Sequence, residues 1–168
     1  MSVHPAELGL DDLLKTCQLT RTRRSGPGGQ HRNKVETAIV VEHLPTGIQA
    51  EANEARSQEA NRLRAIKRLR LKLALEIRQP ERAEQLPSAA WQKRFPKGRL
   101  EINPEHDDFP GLLAEVLDIL DSNQYEIKKS AVQLGCSGSQ LTRFLKLDLQ
   151  AWGQVNRVRQ ALGFHTLK

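Results

Sequence analysis

The chain has 168 residues, of which 38% are hydrophobic, so it can form one ordinary domain or two small ones with packed cores. No stretch approaches the ~20 apolar residues that cross a bilayer, and residues 1–5 lack the basic and apolar blocks of a signal peptide. We therefore expect a cytoplasmic protein with no membrane partner. The net charge of +6 and the pI of about 9.6 favour a polyanionic partner.

The positive charge is unevenly distributed along the chain. Residues 20–78 contain 13 Lys and Arg but only 6 Asp and Glu, whereas residues 100–168 contain 7 Lys and Arg against 9 Asp and Glu. The asymmetry indicates that the first half carries the main surface for the polyanion.

Cysteine and histidine usage predicts neither a disulfide framework nor a metal site. Cys17 and Cys136 lie far apart, and the five histidines are scattered singly with no ligand spacing. We expect both thiols to be reduced and partly buried, and we expect no metal and no cofactor. Of the histidines, only His31 has neighbours that suggest a role.

The first half predicts a small antiparallel sheet. Residues 7–14 favour a short helix, and residues 18–23 alternate as a strand does. After a glycine-rich loop, residues 36–43 have the β-branched density of a second strand. Residues 44–47 form a turn signal, and residues 48–52 alternate again.

Helical spacing of apolar residues then predicts one long helix over residues 57–77, with Ser57 as its N-cap and Pro80 closing it. One stripe should face the sheet; its members are Leu63, Ile66, Leu69, Leu73 and Ile77. The other surface should be basic, through Arg62, Arg64, Lys67, Arg68, Arg70 and Lys72.

Residues 79–99 show neither the helical nor the strand spacing of apolar residues, and they contain three prolines. This composition predicts a basic linker. Beyond them the chain is helical. Leu113, Val116, Leu117 and Leu120 form one amphipathic stripe after Pro110, and Trp152, Val155, Val158 and Leu162 form another that Gly163 stops.

Two short helices between these stripes have helix-turn-helix spacing. They cover about residues 126–134 and 138–146, and Ser137 with Gln140 has the form of a capping box. Ala131, Gly135 and Leu141 stand at the inter-helix contact, the turn and the packing position. A plain helical bundle could show the same pattern. If the second helix meets nucleic acid, the exposed candidates are Ser137, Ser139, Gln140, Thr142, Arg143 and Lys146.

The loop of residues 23–33 is far longer than a hairpin turn and contains three glycines. Glycine reaches positive φ without penalty, so Gly28 and Gly29 can present the following amide as a hydrogen-bond donor. Arginines on both sides would hold a phosphate chain against that tip. A flexible glycine loop with incidental arginines is the alternative, and a Walker loop is excluded because no Lys-Ser/Thr follows the glycines.

Several residues of the first half form an ordered pattern, namely Ser25-Gly26-Pro27-Gly28-Gly29-Gln30-His31, Asn33, Thr37-Ala38-Ile39, residues 43–47 and Arg56-Ser57-Gln58 with Asn61. This pattern resembles the catalytic domain of class I peptide chain release factors. The resemblance covers about residues 18–78. It implies an α+β fold in which a small antiparallel sheet is packed by a long helix, followed here by the all-α helix-turn-helix-like module. The implied domains are residues 1–78, a linker over 79–99 and residues 100–168.

The resemblance implies a peptidyl-tRNA hydrolase that acts on the ribosome, with Gly28, Gly29 and Gln30 catalytic in the peptidyl transferase centre. The Gln30 amide would stabilise charge on the carbonyl and leaving oxygens, while its side chain admits water as the nucleophile. Arg24 and Arg32 depart from the family pattern by adding charge beside the tip. The expected RNA-binding residues are Arg23, Arg24, Arg32, Lys34, Arg56, Arg62, Arg64, Arg68, Arg143 and Lys146.

Fewer than 20 residues precede the matching segment, so we expect no codon-reading domain before it and favour codon-independent release, as in the ribosome-rescue branch. The expected partners are rRNA and peptidyl-tRNA. The C-terminal module would add mRNA or another nucleic acid. The alternative is a non-enzymatic RNA- or DNA-binding protein that uses this module.

Overall fold

The computed structural model describes residues 3–23, 38–95 and 98–168. Their contacts divide the chain into two units, residues 3–73 and residues 74–168. The first unit contains an antiparallel sheet and most of a long helix, and the second contains helices. The predicted α+β class is therefore confirmed.

The sheet of the first unit has three antiparallel strands in the order β1-β2-β3. They are β1 (Cys17–Thr22), β2 (Ala38–His43) and β3 (Ile48–Ala52). The central strand β2 carries the buried residues Ala38, Ile39 and Val41, and β3 carries Ala50 and Ala52, whereas β1 is an edge strand with mostly exposed side chains. Gly47 adopts φ +70° in the turn from β2 to β3, where its N–H donates to the His43 carbonyl at 2.8 Å. That backbone conformation is the reason for glycine at this turn.

Among the described residues, the helices of the first unit are a 3-10 turn (Pro5–Glu7), α1 (Leu10–Leu14) and the long α2 (Gln58–Glu76), whose end belongs to the second unit. The Ser57 hydroxyl accepts a hydrogen bond from the Ala60 N–H at 3.3 Å, which confirms the predicted N-cap. The buried stripe of α2 in this unit consists of Asn61, Ala65, Ile66, Leu69 and Leu73.

Leu63 was expected in the buried stripe of α2, but it is 49% exposed. Ala65, a residue that periodicity alone does not mark as strongly apolar, is fully buried instead. Because residues two apart on a helix lie on different faces, burial of Ala65 places Leu63 outside the buried stripe. The prediction of Leu63 as a core residue was therefore wrong.

Two cations that the sequence placed on the outer surface of α2 are bound to β3. Arg68 donates to the Glu51 carbonyl at 2.8 Å, and Lys72 donates to the Gln49 carbonyl at 2.7 Å. Their long aliphatic stems reach past the edge of the buried stripe, as amphipathic side chains commonly do. The basic surface of α2 is consequently divided between a part that supports the sheet and a part that faces solvent.

In the part of the second unit that the structure describes, five α-helices follow the end of α2. They are α3 (Ala89–Gln92), α4 (Phe109–Ser122), α5 (Ile127–Leu134), α6 (Gly138–Leu145) and α7 (Leu149–Ala161), with a 3-10 helix at Pro80–Gln85. The capping box predicted from Ser137 and Gln140 is present in both directions, at 3.1 and 2.8 Å. Gly135 adopts φ +69° between α5 and α6, and Ala131 and Leu141 are buried. The helix-turn-helix arrangement follows the predicted pattern.

The core of the second unit forms around α4, nearly all of whose side chains are buried. Trp91 of the segment expected to be a linker is also fully buried. Its indole Nε1 donates to the Leu134 carbonyl at 2.9 Å, and its ring meets Phe144 edge-on at 5.3 Å between centroids. An aromatic ring with a satisfied N–H contributes a large apolar area to a core.

Two buried carboxylates of α4 bind the segment before α3. Glu115 accepts from the Ser88 N–H at 2.6 Å and from its hydroxyl at 2.7 Å. Asp118 accepts from the Gln79 N–H at 2.9 Å and from Arg82 Nε at 2.7 Å. Buried charge is tolerated only with such partners. Residues 79–88 are therefore anchored to α4 at two points.

The last helix α7 buries a different face from the one predicted. Val155 is buried, but Leu162 is 52% exposed, and Arg159 is only 8% exposed. Arg159 donates to the Tyr125 carbonyl at 2.6 Å and to the His165 carbonyl at 3.1 Å. These acceptors compensate for burial of the guanidinium, so a residue that apolar periodicity cannot find occupies the place expected for Leu162.

Candidate functional site

The glycine-rich segment is joined at both ends to paired strands. Thr22, the last residue of β1, pairs with Ala38, the first residue of β2. Directly opposite residues of antiparallel strands have Cα atoms about 4.5–5.5 Å apart. The segment between them therefore leaves the sheet and returns to it at one place.

The residues expected to be catalytic, Gly28, Gly29 and Gln30, lie outside the described residues, which exclude 24–37. The same holds for Arg24, His31, Arg32 and Lys34. Arg23, which follows β1 directly, is described and exposed.

The strand order places the end of β3 at the same end of the sheet as this junction. Ala52, the last residue of β3, pairs with Ile39, which follows Ala38 in β2. The connection from β3 to α2 begins there and contains Arg56 and Ser57. The glycine-rich segment and the connection that contains Arg56 and Ser57, about 30 residues apart in sequence, therefore start from the same end of the sheet.

Asn61 holds this connection in a defined conformation. Its side chain is fully buried; its Oδ1 accepts from the Ala55 N–H at 2.9 Å and its Nδ2 donates to the Ala55 carbonyl at 3.0 Å. The Asn61 N–H also donates to the Ser57 carbonyl at 3.1 Å. A carboxamide is the side chain that can satisfy both backbone groups of one residue at once. Asn61 thus positions residues 55–57, including the exposed Arg56.

Arg68 and Glu54 form a second connection at this end of the sheet. The Arg68 guanidinium is hydrogen-bonded to the Glu54 carboxylate and to the Glu51 carbonyl. Glu54 also accepts from the Asn53 N–H at 3.0 Å. The hydrogen bond from Arg68, supported by backbone donors, lowers the pKa of the Glu54 carboxyl from its ordinary value of 4.5 to about 2. The carboxylate is therefore charged at every physiological pH.

The remaining cations predicted to bind RNA have different surroundings. Arg62 pairs with Glu59 at 3.0 Å on the surface of α2. Arg56 and Arg64 are exposed, and neither has an ion-pair partner among the described residues. In the second unit, Arg143 lies on α6 and Lys146 is the C-cap residue of that helix, and both are also exposed. Surface cations without carboxylate partners can contact phosphate without first giving up an ion pair.

Neither cysteine of the described residues has a reactive thiol. Burial raises the pKa of both cysteines, that of Cys136 to about 11, so the reactive thiolate form is disfavoured in each. Both are free and half-buried. Burial also lowers the pKa of His43, whose Nδ1 is 2.8 Å from the Thr46 hydroxyl.

Residues 3–23, 38–95 and 98–168 contain no cluster of three or more His, Cys, Asp or Glu that could hold a metal ion. No helix in this part of the chain has the length and apolarity needed to span a membrane.

Comparison with known proteins identifies the family. Residues 14–102, more than half of the chain, match the RF-1 domain. Peptide chain release factor 1 of Xylella fastidiosa is 40% identical over 98 residues, which cover 58% of this chain and 24% of the relative. Peptide chain release factor 1 of Delftia acidovorans is 33% identical over 143 residues, or 74% and 36%. A chloroplastic peptide chain release factor of Arabidopsis thaliana is 40% identical over 87 residues, or 51% and 19%.

The chain thus belongs to the class I peptide chain release factor family, through its RF-1 domain. It spans about a fifth to about a third of the length of these relatives. The motif residues Arg56, Ser57 and Asn61 fall within the matched segment, as does the whole sheet.

Sequence reasoning missed several residues that shape the site. Asn61 was noted in the motif, but its clamp on Ala55 becomes visible only in three dimensions. The Glu54–Arg68 pair spans 14 residues, and no local rule joins two positions so far apart. The exposed Glu54 directly after a strand could at most have indicated a charge near the sheet end.

Proposed function

We propose that this chain hydrolyses the ester bond of peptidyl-tRNA on the ribosome, with Gly28, Gly29 and Gln30 placed in the peptidyl transferase centre. The observation that carries the proposal is membership of the release-factor family over residues 14–102, which include the glycine motif. The proposal also draws support from Thr22 and Ala38, which join the motif to the sheet at a single place.

In the proposed mechanism, water attacks the ester carbonyl that joins the peptide to the terminal ribose. Negative charge develops on the carbonyl oxygen and on the leaving 3′-oxygen. The Gln30 N–H donates a hydrogen bond to this charge, and one such donor contributes about 2.7–4 kcal/mol to lowering the barrier. The Gln30 side chain limits the nucleophile to water. No protein nucleophile forms a covalent intermediate.

The cations around the motif would hold the domain against rRNA. Arg23 and Arg56 start from the sheet end that carries the motif, and Arg64 is exposed on α2. We assign the same role to Arg24, Arg32, Lys34, Arg62 and Arg68, with Arg68 also supporting Glu54. Phosphate contacts of this kind position a protein without reading sequence.

We propose further that release by this chain does not depend on a chosen codon. The part of this chain that matches the family, residues 14–102, holds the glycine motif. The proposed division is a hydrolytic domain over residues 1–78, a connecting segment over 79–99 and a helical module over 100–168.

A peptide-release assay tests both statements. Ribosomes carrying a labelled peptidyl-tRNA, with an empty or a filled decoding site, are incubated with the parent chain, Gln30→Pro, Gly29→Ala and the control Gln18→Ala. Gln30→Pro removes the N–H donor and should lower the rate about 10²- to 10³-fold. Gln18 is an exposed glutamine of β1, so its variant should release peptide at the parent rate.

Equal rates for Gln30→Pro and the parent would refute the hydrolase and favour a nucleic-acid-binding protein instead. Release that requires a particular codon in the decoding site would refute codon independence alone. Binding of each variant to ribosomes, measured by co-sedimentation, separates loss of chemistry from loss of docking.

A further inference from the structure

The second unit contains a cavity of about 780 Å³ beside α6. Its walls are the start of α5, the outer face of α6 and the segment that ends α7 and follows it. We call this cavity the basic groove and define it by its charged lining residues, which are Glu126, Lys128, Arg143, Lys146, Arg159 and Lys168. It lies outside residues 14–102, which match the family.

The basic groove concentrates positive charge in a part of the chain that is otherwise acidic. Residues 100–168 contain 7 Lys and Arg and 9 Asp and Glu. Five of these 7 cations line the groove, but only one of the 9 carboxylates does. A concave site lined by one sign of charge focuses the electric field and attracts a ligand of opposite charge.

Three of the five cations that line the groove are available for a ligand. Lys128, Arg143 and Lys146 are exposed, and among the described residues none has a carboxylate within 4 Å. Lys146 lies over the Trp152 ring at 5.0 Å. This cation–π contact orients the ammonium group without neutralising its charge.

One wall of the groove is fixed by Arg159. Its guanidinium is bound to the carbonyls of Tyr125 and His165, so the turn before α5 and the segment after α7 are joined. The same guanidinium lies over the Phe164 ring at 4.9 Å. Phe164 is nevertheless 39% exposed, and it offers an aromatic surface at the rim of the groove.

The shape of the groove favours a single strand over a duplex. In DNA-binding helix-turn-helix proteins the second helix enters the major groove. Here Ser139, Thr142, Arg143 and Lys146 of that helix line one side of a cavity, and Phe164 and Lys168 line the same cavity from the C-terminal segment. A cationic groove that follows a backbone, with an aromatic ring for stacking, is the arrangement that binds single-stranded nucleic acid.

We propose that the basic groove binds the phosphate backbone of single-stranded RNA. The choice of RNA over DNA rests on the proposed function at the ribosome. Lys128, Arg143 and Lys146 contact phosphates, and Phe164 stacks on a base.

Two neighbouring lysines of α5 provide a matched test. Lys128 lines the groove, whereas Lys129 is exposed and does not. Binding of a labelled oligouridylate of about 12 nucleotides to the full chain is measured at several salt concentrations. Each lost phosphate contact makes the plot of log K against log salt shallower by about 0.7 for a single strand.

Lys128→Ala should reduce this slope by about 0.7, and Arg143→Ala with Lys146→Ala should reduce it by about 1.4. Lys129→Ala should leave it unchanged. Equal slopes for Lys128→Ala and Lys129→Ala would overturn the proposal. Tighter binding of the deoxy oligonucleotide or of duplex DNA would also overturn it.

The Gln30→Pro variant separates this proposal from the proposed hydrolysis. It should bind the oligouridylate as the parent does while it loses peptide release. If the parent releases peptide but the Lys128 and Lys129 variants do not differ in RNA binding, the groove proposal fails alone. If Gln30→Pro retains release while the lysines differ, the hydrolysis proposal fails alone.

Discussion

Asn61 binds both backbone groups of a single residue, Ala55, through its carboxamide. This relationship fixes the connection that starts at the sheet end shared with the glycine motif. The surface presented to a partner by Arg56 therefore depends on a side chain that no partner can touch, because Asn61 is fully buried.

Replacement of Asn61 tests this dependence. Asn61→Ala leaves the Ala55 N–H and carbonyl without their partner, and a buried polar group left unsatisfied costs about 1–3 kcal/mol. We expect the free energy of unfolding in urea to fall by that amount. Asn53→Ala is the matched control, since the Asn53 side chain forms no hydrogen bond with other described residues. A similar loss for both variants would contradict the assigned role.

The buried carboxylate of Asp118 predicts a larger effect in the second unit. Asp118→Asn removes the charge that faces Arg82 and Arg78 at 2.7 and 3.7 Å. Breaking a buried ion pair by changing one partner costs about 3–5 kcal/mol. Asp121→Asn, later in the same helix and only partly buried, should change the free energy of unfolding much less. Thermal and urea denaturation would reveal whether the two differ.

Alanine substitution of two glycines, one at each end of the turn between α5 and α6, should have different effects on the free energy of unfolding. Gly135 has φ +69° and no atom within 4 Å of an added Cβ, so Gly135→Ala is opposed by backbone strain alone, which costs about 1–2 kcal/mol. Gly138 begins α6, and its added Cβ would meet Ile127 at an ordinary 3.5 Å. We expect Gly138→Ala to be neutral or stabilising, as judged from urea midpoints. A destabilised Gly138→Ala with an unaffected Gly135→Ala would contradict the described turn.

Acid should weaken the contact between Glu54 and Arg68. Because the folded-state pKa of Glu54 is about 2, below its ordinary value of 4.5, the contribution to stability is complete above about pH 4.5 and is lost as the pH falls toward 2. The difference in free energy of unfolding between the parent and Glu54→Gln should narrow over this window. Urea unfolding between pH 6 and pH 3 measures it. Glu76→Gln, at an exposed position without an ion pair among described residues, is the control.

Local patterns predicted the secondary structure of both units well. The turn before β3 needed Gly47, the helix α2 needed the Ser57 cap, and α6 needed the Ser137 and Gln140 pair. Each signal acts over four residues or fewer, so it is readable from neighbouring letters. The pairing of β2 with β3 follows from the short turn between them, whereas residues 23–37 separate β1 from β2.

The features that sequence could not provide all involve distant residues. Leu63 was placed in the core because helical spacing does not show where the stripe is centred when alanine contributes to it. Arg159 is buried because carbonyls of Tyr125 and His165 happen to converge on it, and apolar periodicity carries no sign of that. The basic groove likewise gathers Lys128 from α5, Arg143 from α6 and Lys168 from the segment that follows α7.

The hydrogen bonds from Ser88 and Gln79 to α4 determine which fragments of the protein can fold. A polypeptide beginning at residue 100 would lack the Ser88 donors to Glu115 and the Gln79 and Arg82 donors to Asp118, and it would leave the place of Trp91 empty. Such a fragment should be poorly folded, whereas one beginning before Gln79 would retain these donors and the indole. Proteases should accordingly spare residues 79–92 in the native protein.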